Sequence, residues 1–170
     1  MDEGLRRQLL RMADDDQSAR RAHSSDTGSV DRRNTAHLKQ IVAANGWPGR
    51  RLVGDDGAQA AWCIVQHSAD LTFMTRCLGL LHGAAEALDA PPANLAYLED
   101  RVRMFRGESQ VYGTQFIEKD GTYEPWPIED VEGVDERRAQ MCLGPLTDYA
   151  AHIRALIPPL EPEPSPTRRT

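Results

Sequence analysis

The chain has 170 residues, 40% hydrophobic and 27% charged, which suits one folded domain with a sizeable core and argues against a disordered chain. Its net charge is −6 and its pI is near 5.3, so the clustered basic footprint of a nucleic-acid binder is absent, and most of the Arg-Arg pairs, such as Arg20-Arg21 and Arg137-Arg138, read as solvated faces among acids. The 3 cysteines, Cys63, Cys77 and Cys142, have no CxxC spacing and speak against a disulfide scaffold or a structural zinc site.

The N-terminal segment MDEGLRRQLLRMADDD has no apolar signal core, and no run is long enough to cross a bilayer. A cytoplasmic protein with no membrane contact is expected. The first helix is predicted over residues 4–22, with Leu5, Leu9 and Met12 as its apolar stripe. Continued, that stripe meets Asp16 and then Arg20. Residues 23–29 are rich in Ser, Asp and Gly and read as a loop.

Asp31 is a plausible cap for a second helix over 32–45, whose stripe of Leu38, Ile41, Val42 and Asn45 runs back to Asn34. Gly46 and Trp47-Pro48 stop it, and residues 48–54 read as a connector. A third helix over 56–68, capped by Asp55 or Asp56, contains the uncharged run GAQAAWCIVQH. Apolar all round, it should be the central helix, with Trp62 and Val65 as anchors and Gln66 and His67 inside its C-terminal end.

A fourth helix over 71–88 starts at the cap Asp70, and a fifth over 93–106 carries Leu95, Leu98, Val102 and Phe105. The pattern then turns β-branched and aromatic. Residues 111–118 and 122–126 read as a hairpin around a type I′ turn at Asp120-Gly121, with Pro125 marking an edge strand. Helices over 134–141 and from Pro145 to about residue 157 follow. The expected fold is mainly α: a compact bundle of six to seven helices with one β-hairpin near the C-terminal third. Residues 1–157 form a single globular helical domain, and the Pro-rich tail 158–170 is expected to be disordered.

Polar residues on otherwise apolar helix lines mark the candidate site, because a buried polar group must be partnered. His67 is the best acid–base group, since imidazole titrates near neutrality. Asp16 and Arg20, spaced i, i+4, form a salt bridge or an anion clamp, with Gln17 adding an amide. Asn34, Tyr112 and Gln115 would orient a substrate. On a strand, Tyr112 and Thr114 share one face and Gly113 and Gln115 the other, and Gly113 would let a ligand or helix come close. In the competing reading, His67 is a core histidine, Asp16–Arg20 a plain ion pair and the YGTQ run a packed hairpin edge.

Asp100-Arg101 reads as a satisfied structural pair, and His23, His37, His82 and His152 as surface residues. A metal held by Asp16, Asp31 and His67 lacks any HxxxH, ExxH or HExxH pattern, so none is expected, and no cofactor either. Cys63 sits four residues before His67, but on so apolar a helix it reads as an inert core thiol. No GxSxG elbow, Walker loop or GxGxxG run occurs.

The stretches MADDDQSAR (12–20), DRRNTAHLKQIVAANGWP (31–48), LVGDDGAQAAWCIVQHS (52–68), NLAYLEDRVRMFRGESQVYGTQF (94–116) and PIEDVEGVDERRAQMCLGPLTDYAAHI (127–153) resemble an uncharacterised bacterial family, domain of unknown function 6624. DQxxR, WxxxQH and YGTQ are the signature pieces. The resemblance implies a self-standing bacterial module, as does the bias towards Arg over Lys, and carries over no chemistry. The expected function is a small acid–base enzyme acting on a polar, anionic small molecule by hydrolysis, elimination or isomerisation. A natural-product pathway would suit it, though no residue points there. The alternative is a non-catalytic binding, regulatory or immunity module with a protein partner and a purely structural polar core.

Overall fold

In the computed structural model the described residues are 1–22, 24–119 and 121–156. His23, Asp120, for which a turn position is expected, and residues 157–170, which include the tail expected to be disordered, lie outside them. Seven helices and one hairpin are found among the described residues.

Helix α1 spans Glu3–Arg21 and is capped by Asp2, whose carboxylate accepts from the Leu5 amide; it buries Leu9, Met12 and Asp16. Helix α2 spans Thr27–Asn45. It starts before Asp31, so Asp31 is not its cap. Its carboxylate turns instead to Arg20 across the α1–α2 junction, 2.8 Å from Nη2. Gly46, at φ 74°, ends the helix as expected.

Helix α3 spans Arg50–Gln66, but Gly54 breaks it at φ 74°, ψ 171°, a conformation open to glycine and strained for other residues. The expected connector is therefore partly a helical turn, joined through Gly54 to the central stretch. That stretch packs against α1, α2, α4 (Leu71–Glu86) and α5 (Pro92–Phe105). Val65 is fully buried, and Trp62 is half-buried with its indole N–H donating to the Asn94 carbonyl. Leu9, Leu38, Val53, Ile64, Val65, Met74, Cys77, Leu81, Leu98 and Val102 make one continuous core. Asp70 caps α4 by accepting from the Phe73 amide.

The hairpin pairs β1 (Phe116–Lys119) with β2 (Thr122–Pro125), antiparallel and in register from Phe116↔Pro125 to Lys119↔Thr122. It is shorter than the β-branched run suggested. Residues 111–115 are not strand. Their amides turn onto α5, where the fully buried Asp100 carboxylate accepts from the Val111, Tyr112 and Thr114 N–H groups and from the Thr114 hydroxyl. The carboxylate takes the place a partner strand would fill. Asp100 is therefore not paired with Arg101.

Two short helices, α6 (Val134–Gln140) and α7 (Leu146–Leu156), close the fold, with α7 against α6 and β2. Pro145 precedes α7 rather than opening it. Gly113, at φ 69°, permits a close approach, and the neighbour is α7: a Cβ there would sit 2.7 Å from Leu146 Cδ1. Arg138 is not on a solvated face. It is buried, donates to the Gly144 and Tyr112 carbonyls, and lies over the Tyr149 ring. Phe105, expected on the apolar stripe, is the last residue of α5 and is 49% exposed. Truncating Leu38 to Ala should cost roughly 2–5 kcal/mol of unfolding free energy in a denaturant titration. Phe105→Ala should stay within about 0.5 kcal/mol of wild type.

Candidate functional site

The site forms where α1, α2 and the C-terminal end of α3 meet. Asp16 comes from α1 and is 1% exposed. His67 is the C-cap residue of α3, 23% exposed through its side chain, so its ring lies at the boundary between core and solvent. His67 Nδ1 lies 2.9 and 3.0 Å from the Asp16 carboxylate oxygens. Arg20, one turn after Asp16, places Nη2 at 3.2 Å from Asp16 and 2.8 Å from Asp31, with Nε 3.4 Å from Asp16. Gln17 donates its amide to Asp16 at 2.9 Å and to the Cys63 sulfur at 3.3 Å.

Arg20 Nε is also 3.2 Å from His67 Nδ1. That nitrogen cannot both accept from Arg20 and donate to Asp16. The ionised carboxylate has the shorter contacts and needs donors, so the proton is assigned to Nδ1 and points at Asp16. Nε2 is then the basic nitrogen, without a protein partner among the described residues. His67 lines a solvent-open cavity of about 600 Å³, together with Asp31, Thr35, Ala36, Lys39 and Asp70.

The electrostatics support a neutral imidazole. Burial lowers the His67 pKa; Asp16 opposes this, but Arg20 and Arg101 add to it, and the net shift is down from 6.5. For Asp16, burial pulls the pKa upward, but His67 and the hydrogen bond from Arg20 outweigh it and the carboxyl is held below its usual range. Asp31 moves the other way, raised by burial and by its contact with Asp16, against the pull of Arg20. Burial and the Asp16 charge push the Cys63 thiol up, although Gln17 and Arg20 oppose this, which makes Cys63 a poor nucleophile.

Asp16, Gln17, Arg20 and His67 are thus brought together. Asn34 is not: buried on α2, it donates to the Met12 carbonyl at 2.9 Å and ties α2 to α1. Tyr112 and Gln115 do not line the His67 cavity. Gln115 accepts from Arg101 Nε at 3.1 Å, and Arg101 Nη1 donates at 2.6 Å to the carbonyl of Gln66, just before His67. These residues hold the end of α3 from behind. His37, His82 and His152 are exposed.

Sequence reading places Asp31 as a helix cap or a metal ligand, whereas it is the second carboxylate on Arg20; its position seven residues before Leu38, on the apolar line, was the signal for an inward carboxylate. It reads Arg101 as the partner of Asp100, whereas Arg101 holds the Gln66 carbonyl. Lys39, which lines the cavity, is missed because a single lysine on a polar helix face looks like surface charge. The metal question also changes: Asp16, Cys63 and His67 bring ligand atoms within 4.8 Å of one another, whereas Asp31 is not in that group. Arg20 opposes an ion there, because its guanidinium already lies against His67 Nδ1 and Asp16.

Residues 1–157 match the model described as "Family of unknown function (DUF6624)". The chain belongs to this family. No curated protein matches it, and no solved structure does. No helix among the described residues is long and apolar enough to cross a membrane.

The lowered His67 pKa fixes a sign. Below pH 6.5 an unfolded imidazole takes up a proton that the folded one resists, so the unfolded state binds more protons and stability falls as the pH is lowered. The stability advantage of wild type over His67→Gln should be full above 6.5 and shrink as pH drops through the folded pKa, as read by thermal melts across that range. A constant difference at every pH would contradict the shift.

Proposed function

We propose that the protein is a small acid–base enzyme that needs no metal, with His67 as the proton carrier and Asp16 as the residue that orients it. The observation that carries this reading is the Asp16–His67 contact at 2.9 Å beside an open cavity. A carboxylate on Nδ1 fixes the ring and its tautomer, stabilises the imidazolium formed when Nε2 takes a proton, and leaves Nε2 as base at neutral pH. The cavity size suits a small polar molecule. Gln17 and Arg20 take part as positioning residues, since Arg20 is already shared between Asp16 and Asp31. Asn34, Tyr112 and Gln115 serve by holding the helices in place. The reaction is one that begins or ends with a proton transfer: hydrolysis, elimination or isomerisation. A cytoplasmic location is part of the same proposal.

A second reading draws on the saturation of the cluster. Every charged group around Asp16 has a partner within it, as in a structural polar core of a binding or regulatory module with a protein partner. Side-by-side measurement of His67→Gln separates the two. The enzyme reading expects a metabolite-library turnover or thermal-shift response that is lost by about 10²-fold or more in the variant, at temperatures where the variant is still folded, and that a chelator leaves unchanged in wild type. Lowered melting with an undiminished ligand response would reject it.

A further inference from the structure

The cavity at His67 is not isolated. A second one, of about 560 Å³, shares Lys39 and Asp70 with it and continues past Gln40 and Ala43 to Thr72, Phe73 and Arg76. The shared wall is one face of α2. Gly28, Asp31, Thr35, Lys39 and Ala43 follow one another at helical spacing along it. From Asp31, which touches the Arg20 of the proton-transfer cluster, to Gln40 in the second cavity is nine residues, about 14 Å along a helix.

The junction between the cavities is the Lys39–Asp70 ion pair, 2.5 Å long, with Lys39 also 5.7 Å from the Phe73 ring centroid. Those side chains make a waist in the groove. A molecule that occupies both cavities is therefore slim at its middle. The charges differ at the two ends. Asp31 and Asp70 balance Arg32 and Lys39 around the first cavity. In the second, the one lining carboxylate, Asp70, is taken by Lys39, and Arg76 has no carboxylate partner among the described residues. The far end therefore carries an unbalanced positive charge in a chain of net charge −6.

We propose that the substrate is a linear, chain-like molecule with an anionic end group, its reacting group at His67 and its anion at Arg76 and Lys39. This rests on the acid–base reading of His67 and adds the length, shape and charge of what it acts on. The anion is a carboxylate or a phosphate, which the same two cations recognise by the same ion pairing.

The test follows backbone and His67 ring signals by NMR during titration with inorganic phosphate and with ω-hydroxyoctyl phosphate. Inorganic phosphate should move the Thr72 and Arg76 signals and leave the His67 ring alone. The alkyl phosphate should move both sets and bind about tenfold tighter. Arg76→Gln, at an exposed position with no bond to lose, should weaken both probes by about fivefold. Shifts confined to Arg20 and His67, no gain from the chain, or unchanged affinity in Arg76→Gln would overturn the proposal. The acid–base reading is judged separately: Arg76-dependent binding upholds the groove even if His67→Gln abolishes no turnover, and lost turnover in His67→Gln cannot rescue a groove that ignores Arg76.

Discussion

A carboxylate withdrawn from water at the centre of a helical body must be answered by donors, and at Asp16 those donors come from two helices, with a third drawn in behind them. Gln17 and Arg20 approach from its own helix and His67 from the end of α3, while Arg20 carries the contact on to Asp31 of α2. An uncompensated charge at this depth would cost several kcal/mol. The relative placement of α1, α2 and α3 is thus constrained by polar geometry as well as by the apolar core of Leu9, Leu38 and Ile64. Core packing tolerates volume-preserving swaps. A carboxylate with directed donors tolerates very little displacement.

The same constraint governs the proton chemistry. Because Asp16 stays ionised and claims Nδ1, the neutral ring of His67 presents its basic nitrogen outward. A second buried carboxylate, Asp100, plays the equivalent part for the C-terminal third by gathering the amides of Val111, Tyr112 and Thr114. The two networks meet through Arg101, which links Gln115 to the Gln66 carbonyl. The hairpin, α6 and α7 are thereby tied to the end of α3 that carries His67. Gln66 itself stays 5% exposed with no partner on its amide nitrogen among the described residues.

Helices were legible in the sequence because their signals are local: apolar spacing, the Asp70 cap, the Gly46 stop. Asp16, Arg20 and His67 were legible as a group because each interrupts an apolar line, and such interruptions need partners. What could not be read depended on distant geometry. The DQxxR spacing says nothing of Asp31, and the YGTQ run looks like a strand because its residues are β-formers. Only the fold puts a buried carboxylate where a neighbouring strand would otherwise be. Asn34 shows the limit of the polar-interruption rule. It too breaks an apolar line, and its partner is the Met12 carbonyl rather than a site.

The chemistry of the site turns on the protonation state of one ring, and ring-nitrogen NMR of His67 reads it directly. A neutral imidazole at pH 7, protonated on Nδ1, bare on Nε2 and titrating below 6.5 is the expected result. A proton on Nε2 at neutral pH, or an imidazolium that persists above 6.5, would mean that His67 only neutralises Asp16 and is not poised to take a proton.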